Sequence, residues 1–218
     1  MVFDILFPPH SSFLLIGAPF SGKDIIVQKY IVQCMQQGHP LIFITTDMQP
    51  EEVIKNYVSY GVPIDKYIEK KLVKFVDAYT KQITRDIQDT ESIKRIESPI
   101  AFTEMSAMVS DIQHDFKEKP PRVILSSLST ILLYSTAPEV SKFMQVLIGK
   151  IKQISGSILC LLEENMHDPK IVVALEHLVD GKIVTQYAIP DTGSKSEKKF
   201  MFKSSGIITT KDWKDAIN

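Results

Sequence analysis

Gly17, Gly22 and Lys23 are the residues whose types and spacing point most directly to chemistry. They bound the loop Gly17-Ala18-Pro19-Phe20-Ser21-Gly22-Lys23, which follows the apolar run Phe13–Ile16 and leads into Asp24, Ile25 and a helical pattern. Such a loop turns backbone N–H groups and the positive end of the next helix toward one point, and the lysine adds a mobile charge. This is the means of holding phosphate, so residues 17–25 are the expected nucleotide-binding stretch. The pattern G-x-x-x-x-G-K-[ST] is met in all but its last position, where Asp24 replaces a hydroxyl residue. The hydroxyl would be a neutral ligand to magnesium, whereas Asp24 places a carboxylate beside the phosphates. A lysine after a glycine at a helix start also occurs by chance; the preceding strand and following helix favour the phosphate loop.

The elements that must position this loop follow from periodicity. After the loop, Val27, Tyr30, Ile31 and Cys34 keep helical spacing up to Gly38-His39-Pro40. Leu41–Thr46 reads as a buried strand ending at Asp47, and Pro50 opens a helix with Glu51 and Glu52 in its first turn and a stop at Gly61. Leu72–Val76 is the next strand. Residues 78–99 are polar and weakly periodic and read as a surface excursion. Phe102, Met105, Val109, Ile112 and Phe116 form a helical stripe. Val123–Leu125 and Ser157–Leu162 are strands, with a helix from Pro138 to Ile151 between them. Ile171–Leu178 is helical, Val179–Gly181 turns, and Ile183–Tyr187 with Lys199–Lys203 suggest a terminal hairpin. Alternating strands and helices predict an α/β domain of three layers around a mostly parallel sheet.

Composition limits the function classes. A chain of 218 residues with 44% hydrophobic and 23% charged residues fits one globular domain, here 1–218. A net charge of −1 argues against a broad nucleic-acid or membrane field. The lysines at 195, 198, 199, 203, 211 and 214 make a local basic patch, which reads as a solvated face and leaves nucleic-acid binding as the weaker alternative. Cys34 and Cys160 match neither a disulfide framework nor metal spacing. No apolar run nears the roughly 20 residues of a membrane span. Together with an N-terminus lacking signal-peptide features, this predicts a cytoplasmic protein.

At the level of ordered motifs the chain resembles the KaiC-type ATPases of the RecA/RadA superfamily in single-domain form. The loop, Pro50–Gly61, Val123–Ser129, Leu162–Asp168 and His177–Gly181 are similar to that family's successive signatures, across about residues 12–204. The resemblance implies a RecA-like P-loop domain, ATP or ADP as ligand, and packing as a dimer or ring with nucleotide between subunits. It also assigns roles. Ser126 stands where the family has the aspartate at the end of the Walker B strand. Asp47 aligns with the glutamate that polarises attacking water and is one methylene shorter. Apart from the resemblance, Glu163 and Glu164 close a strand on the same edge and read either as nucleotide-sensing acids, Glu164 being a second candidate catalytic acid, or as solvated loop acids. Lys203 is the candidate basic residue facing the phosphates.

The changed positions allow two readings. In one the magnesium site has decayed, and Asp24 persists as an acid suited to a helix's first turn. In the other Asp24 supplies the carboxylate and Ser126 the hydroxyl of a rearranged magnesium shell, which the oxygen chemistry of that ion permits. The expectation taken is decay: a nucleotide-binding, weakly or non-hydrolysing pseudo-ATPase acting as a regulatory or assembly module with a protein partner. The alternatives are a slow ATPase with the rearranged shell, and a single-stranded DNA-binding protein of the RecA/RadA-paralogue type. His167, Asp168, His177 and Asp180 could be mistaken for a metal cluster and are read as structural.

Overall fold

The computed structural model describes residues 8–116, 119–188 and 199–206. Eight strands form one sheet: β1 Ser12–Gly17, β2 Leu41–Thr45, β3 Val73–Asp77, β4 Ile93–Arg95, β5 Arg122–Leu125, β6 Ser157–Glu163, β7 Gly181–Ala188 and β8 Lys199–Gly206. Their order is β4-β3-β2-β5-β6-β1-β7-β8, parallel throughout except for the antiparallel β7–β8 pair, the expected terminal hairpin. The fold is the α/β RecA-like one.

The central strands read as continuous apolar runs because both of their faces are covered. Alternate residues of β1 show this. Phe13 and Leu15 face one core with Phe43, Phe75 and Ile124, while Leu14 and Ile16 face the other with Ile42, Ile44 and Leu125. The first core is closed by α1 Lys23–Gln36, α2 Pro50–Ser59 and α3 Ile64–Glu69. The second is closed by α4 Phe102–Gln113, α5 Leu128–Tyr134, α6 Ala137–Gln153 and α7 Pro169–Glu176. A sheet between two helical layers results, with every parallel strand delivering its carboxyl end to one edge. That edge is where ligands of open α/β sheets bind.

The structure departs from the pattern reading in three places. Residues 78–99 are not wholly a surface excursion. They hold a 3-10 turn at Thr80–Gln82 and the edge strand β4, with Ile93 and Ile96 buried and Arg95 paired to Asp77 and Glu51. Three residues are too few to show strand periodicity, so β4 is defined only by its pairing with β3. The short helices α3 and α5 are likewise too brief for a periodic signal. Finally, α4 ends at Gln113, and Phe116 reaches the core from the turn beyond it.

Asp180 behaves structurally. Its Oδ2 accepts from the Ser12 N–H and hydroxyl, each at 2.8 Å, and from Lys152 at 2.6 Å, fastening the start of β1. Among the described residues no group of three or more His, Cys, Asp or Glu could hold a metal, and no helix is long and apolar enough to cross a membrane. Lys203 stands opposite Val184 in the β7–β8 register; its side chain, and those of the other C-terminal lysines, lie outside the described residues.

Candidate functional site: the carboxyl edge around the first loop

The loop after β1 is shaped by two glycines. Gly22, the residue before α1, has φ 94, a left-handed conformation that glycine adopts without strain. No side chain caps the helix there, so its first amides, which have no acceptor within the helix, remain for an external anion. Gly17 is required for a different reason. A Cβ at this position would lie 1.9 Å from Thr185 Oγ1 and 2.5 Å from Ser21 Oγ. Those two hydroxyls are buried and hydrogen-bonded to each other at 2.6 Å, so the loop is tied from below to β7. Phe20 at the apex also has a positive φ of 63 and is 81% exposed. Ala18 and Pro19 form the turn between, and the Ser21 N–H donates to the Ala18 carbonyl at 3.1 Å.

Lys23 is buried under the loop, and its Nζ is paired with Glu163 Oε1. The pairing follows from strand register: β1 and β6 run parallel with Gly17 beside Glu163. Glu164 lies one residue further, its N–H donating to the Gly17 carbonyl at 3.1 Å. Of the two acids that close β6, the structure brings Glu163 to the lysine. The two apolar runs signal that both strands end on this edge, and the register of one on the other decides which acid meets the lysine. Thr185 lacked any such signal, because its partner Ser21 is distant in sequence.

Of the other predicted residues, Asp24, Asp47 and Ser126 meet in a cavity of about 250 Å³ beside the loop, lined also by Thr45, Asn56 and Tyr57. Asp24 is exposed in the first turn of α1, and Ile25 beside it is partly exposed. Ser126 donates its hydroxyl to Asp47 Oδ1 at 2.6 Å and accepts from the Thr46 N–H at 3.2 Å. Desolvation by the surrounding protein raises the Asp47 carboxyl above its usual range, against the lowering effect of the Ser126 hydrogen bond. Glu163 adds to the rise and Lys23 opposes it, so the two sides of the site are electrostatically joined. Thr45 contributes a buried hydroxyl with no hydrogen-bond partner among the described side chains.

These residues fit a nucleotide phosphate: two glycines where side chains would strain or clash, an uncapped helix end, and a lysine beneath them. They fit magnesium less completely. Asp24, Asp47 and Ser126 offer oxygens, the donor type this ion takes, but no group of three or more carboxylates is preassembled among the described residues. Magnesium characteristically retains waters and phosphate oxygens as ligands, so it would enter with the nucleotide rather than into a protein cage.

Comparison with known proteins agrees with this geometry. The sequence matches the family described as "ATPase: KaiC" over residues 3–202. A UPF0273 protein of Methanopyrus kandleri is 27% identical over 182 residues, covering 81% of this chain and 68% of that protein. A UPF0273 protein of Thermotoga maritima is 26% identical over 195 residues, covering 81% and 71% respectively. The crystal structure of a KaiC-like protein from Pyrococcus horikoshii is similar in fold, with a TM-score of 0.69 at 16% identity. That match covers 94% of this chain and 84% of the other.

Proposed function

The chain belongs to the KaiC ATPase family, and we propose that it is a single-domain regulatory module that binds ADP or ATP and hydrolyses ATP slowly or not at all. The observation that carries the binding half is the loop itself. Gly17 has no room for a Cβ, Gly22 is left-handed, and Lys23 lies beneath an uncapped helix end. Residues 17–25 hold the phosphates, with Lys203 the candidate to join them from β8. The nucleotide supplies a polyphosphate; the chain supplies amides, one lysine and the walls of the adjoining cavity.

Weak hydrolysis is supported by how the polar residues are engaged. Ser126 and Asp47 are hydrogen-bonded to each other, and Lys23 is held by Glu163. A base contributes when it sits within hydrogen-bond reach of the proton it takes. The one-methylene-shorter Asp47 is instead directed to Ser126, and Glu164 is tied to the loop through its backbone N–H, which donates to the Gly17 carbonyl. One observation favours the second reading, a slow ATPase with a rearranged metal shell: Asp24, Asp47 and Ser126 line the same cavity.

An assembly role is supported by exposed apolar groups at the site. Phe20 at the loop apex and Tyr60 on the cavity wall are 81% and 62% exposed, which suits a second copy or another protein completing the pocket. Thermal unfolding with ADP and ATP, with and without magnesium, tests the binding reading: a dose-dependent rise supports it and no rise at millimolar nucleotide contradicts it. Light scattering with and without nucleotide tests the assembly reading, and an unchanged monomer would count against it.

A further inference from the structure

We propose that Glu163 is an internal occupant of the terminal-phosphate position on Lys23 and sets a preference for nucleoside diphosphate over triphosphate. The inference rests on the nucleotide reading above and deepens it.

A loop lysine of this kind reaches the β- and γ-phosphates of a bound nucleotide. In this chain that ammonium already has an anion, because the β1–β6 register sets Glu163 beside Gly17 and its Oε1 meets Lys23 Nζ. The Glu163 backbone is anchored in turn by its N–H donating to Ser129 Oγ at 2.9 Å, so the side chain starts from a set point beside the lysine. Its other oxygen, Oε2, is buried and has no hydrogen-bond partner among the described side chains. Among the described side chains one of the two carboxylate oxygens is therefore engaged, and that engagement is with the residue a phosphate also needs.

Two consequences follow from charge alone. A diphosphate placed in the loop amides leaves the carboxylate facing the lysine, and the two anions share it. A triphosphate brings a further anionic group to the same ammonium, next to a carboxylate whose ion pair is with that lysine. Like charges brought together at a partly buried site are unfavourable, and least screened where water is excluded. The penalty falls on the terminal phosphate, so Glu163 discriminates by phosphate number.

The test is calorimetric titration of ADP and of ATP, each with magnesium, into the full chain and into Glu163→Gln, Glu163→Thr and Glu163→Asp. Glu163→Gln keeps the shape and removes the charge, and should tighten ATP binding about tenfold while changing ADP about twofold or less. Glu163→Thr should shift the ratio in the same direction should the glutamine side chain disturb the fold. Glu163→Asp keeps the charge and should keep the preference for ADP. A merely structural role would weaken both nucleotides together in all three variants. An ADP-to-ATP ratio unchanged by charge removal, with both still bound, overturns this inference and leaves nucleotide binding intact. Failure of the wild type and all variants to bind either nucleotide overturns the nucleotide reading and this inference with it.

Discussion

The two sides of the carboxyl edge are built on different principles. The loop side, from Gly17 to Lys23, is governed by backbone: a left-handed glycine, a position with no room for a Cβ, and a helix end without a side-chain cap. The cavity side, with Asp24, Asp47 and Ser126, is governed by side chains that meet around one opening. A backbone cradle is hard to lose piecemeal where a glycine also serves the packing below it. Gly17 shows this where the Ser21–Thr185 hydroxyl pair fills the space a side chain would take. Side-chain constellations can change one residue at a time without disturbing the sheet. The difference teaches that, under the proposed function, phosphate binding rests on the sturdier side and hydrolysis on the more easily altered one.

The sharpest way to break the comparison is at the lysine. Lys23→Ala should abolish the nucleotide-induced rise in melting temperature, which for the wild type corresponds to about 2.7 kcal/mol at a ligand concentration of about 100 Kd. A rise that survives the substitution would show that the loop side is not the phosphate site. The next largest effect belongs to Gly17→Ala. Its methyl must displace two hydrogen-bonded hydroxyls, a form of overpacking that costs about 1–3 kcal/mol, measurable by denaturant unfolding. Binding should weaken along with stability, because the loop and the packing share the position.

The cavity side should respond more mildly. Asp24→Thr combined with Ser126→Asp restores a hydroxyl and a carboxylate, and should improve magnesium-dependent ATP binding by up to about tenfold, about 1.4 kcal/mol. Steady-state turnover should stay low in this variant, since Asp47 remains short. A wild type that turns over ATP steadily and loses that activity in Asp24→Thr alone would instead establish the rearranged shell.

The smallest effect is a pH dependence. The folded-state carboxyl of Asp47 is raised, so the folded chain binds its proton more readily than the unfolded chain does. Stability contributed by this group is present below the ordinary carboxylate range and is lost as pH rises through the raised folded value. Asp47→Asn should remove that loss, so its melting temperature should gain on the wild type as pH increases from about 4 toward neutrality. A difference that does not vary with pH would contradict the desolvation of this carboxyl.

Much of the fold was legible because its signals are local and repeated. Phe13–Ile16, Leu41–Thr45 and Ser157–Leu162 are apolar runs that only two-sided burial explains, and Gly38 and Gly61, both left-handed, mark where helices stop. The loop was legible for the same reason, since its glycines and lysine are adjacent in sequence. What escaped the sequence depends on pairing across distance. Ile93–Arg95 becomes a strand only against β3, and Ser21 finds Thr185 across 164 positions. Glu163 and Glu164 could not be separated by pattern, because which acid meets Lys23 is set by the register of β1 on β6.

The central claim is that a backbone cradle still binds nucleotide beside a magnesium site that no longer works in the family's way. Calorimetric titration of ADP into the wild-type chain, with magnesium and then with a chelator, tests it most directly. The account predicts saturable binding in both conditions, with affinities within about tenfold of each other, about 1.4 kcal/mol. Binding that vanishes when magnesium is removed would contradict decay and favour the rearranged shell, and no binding in either condition would contradict the cradle itself.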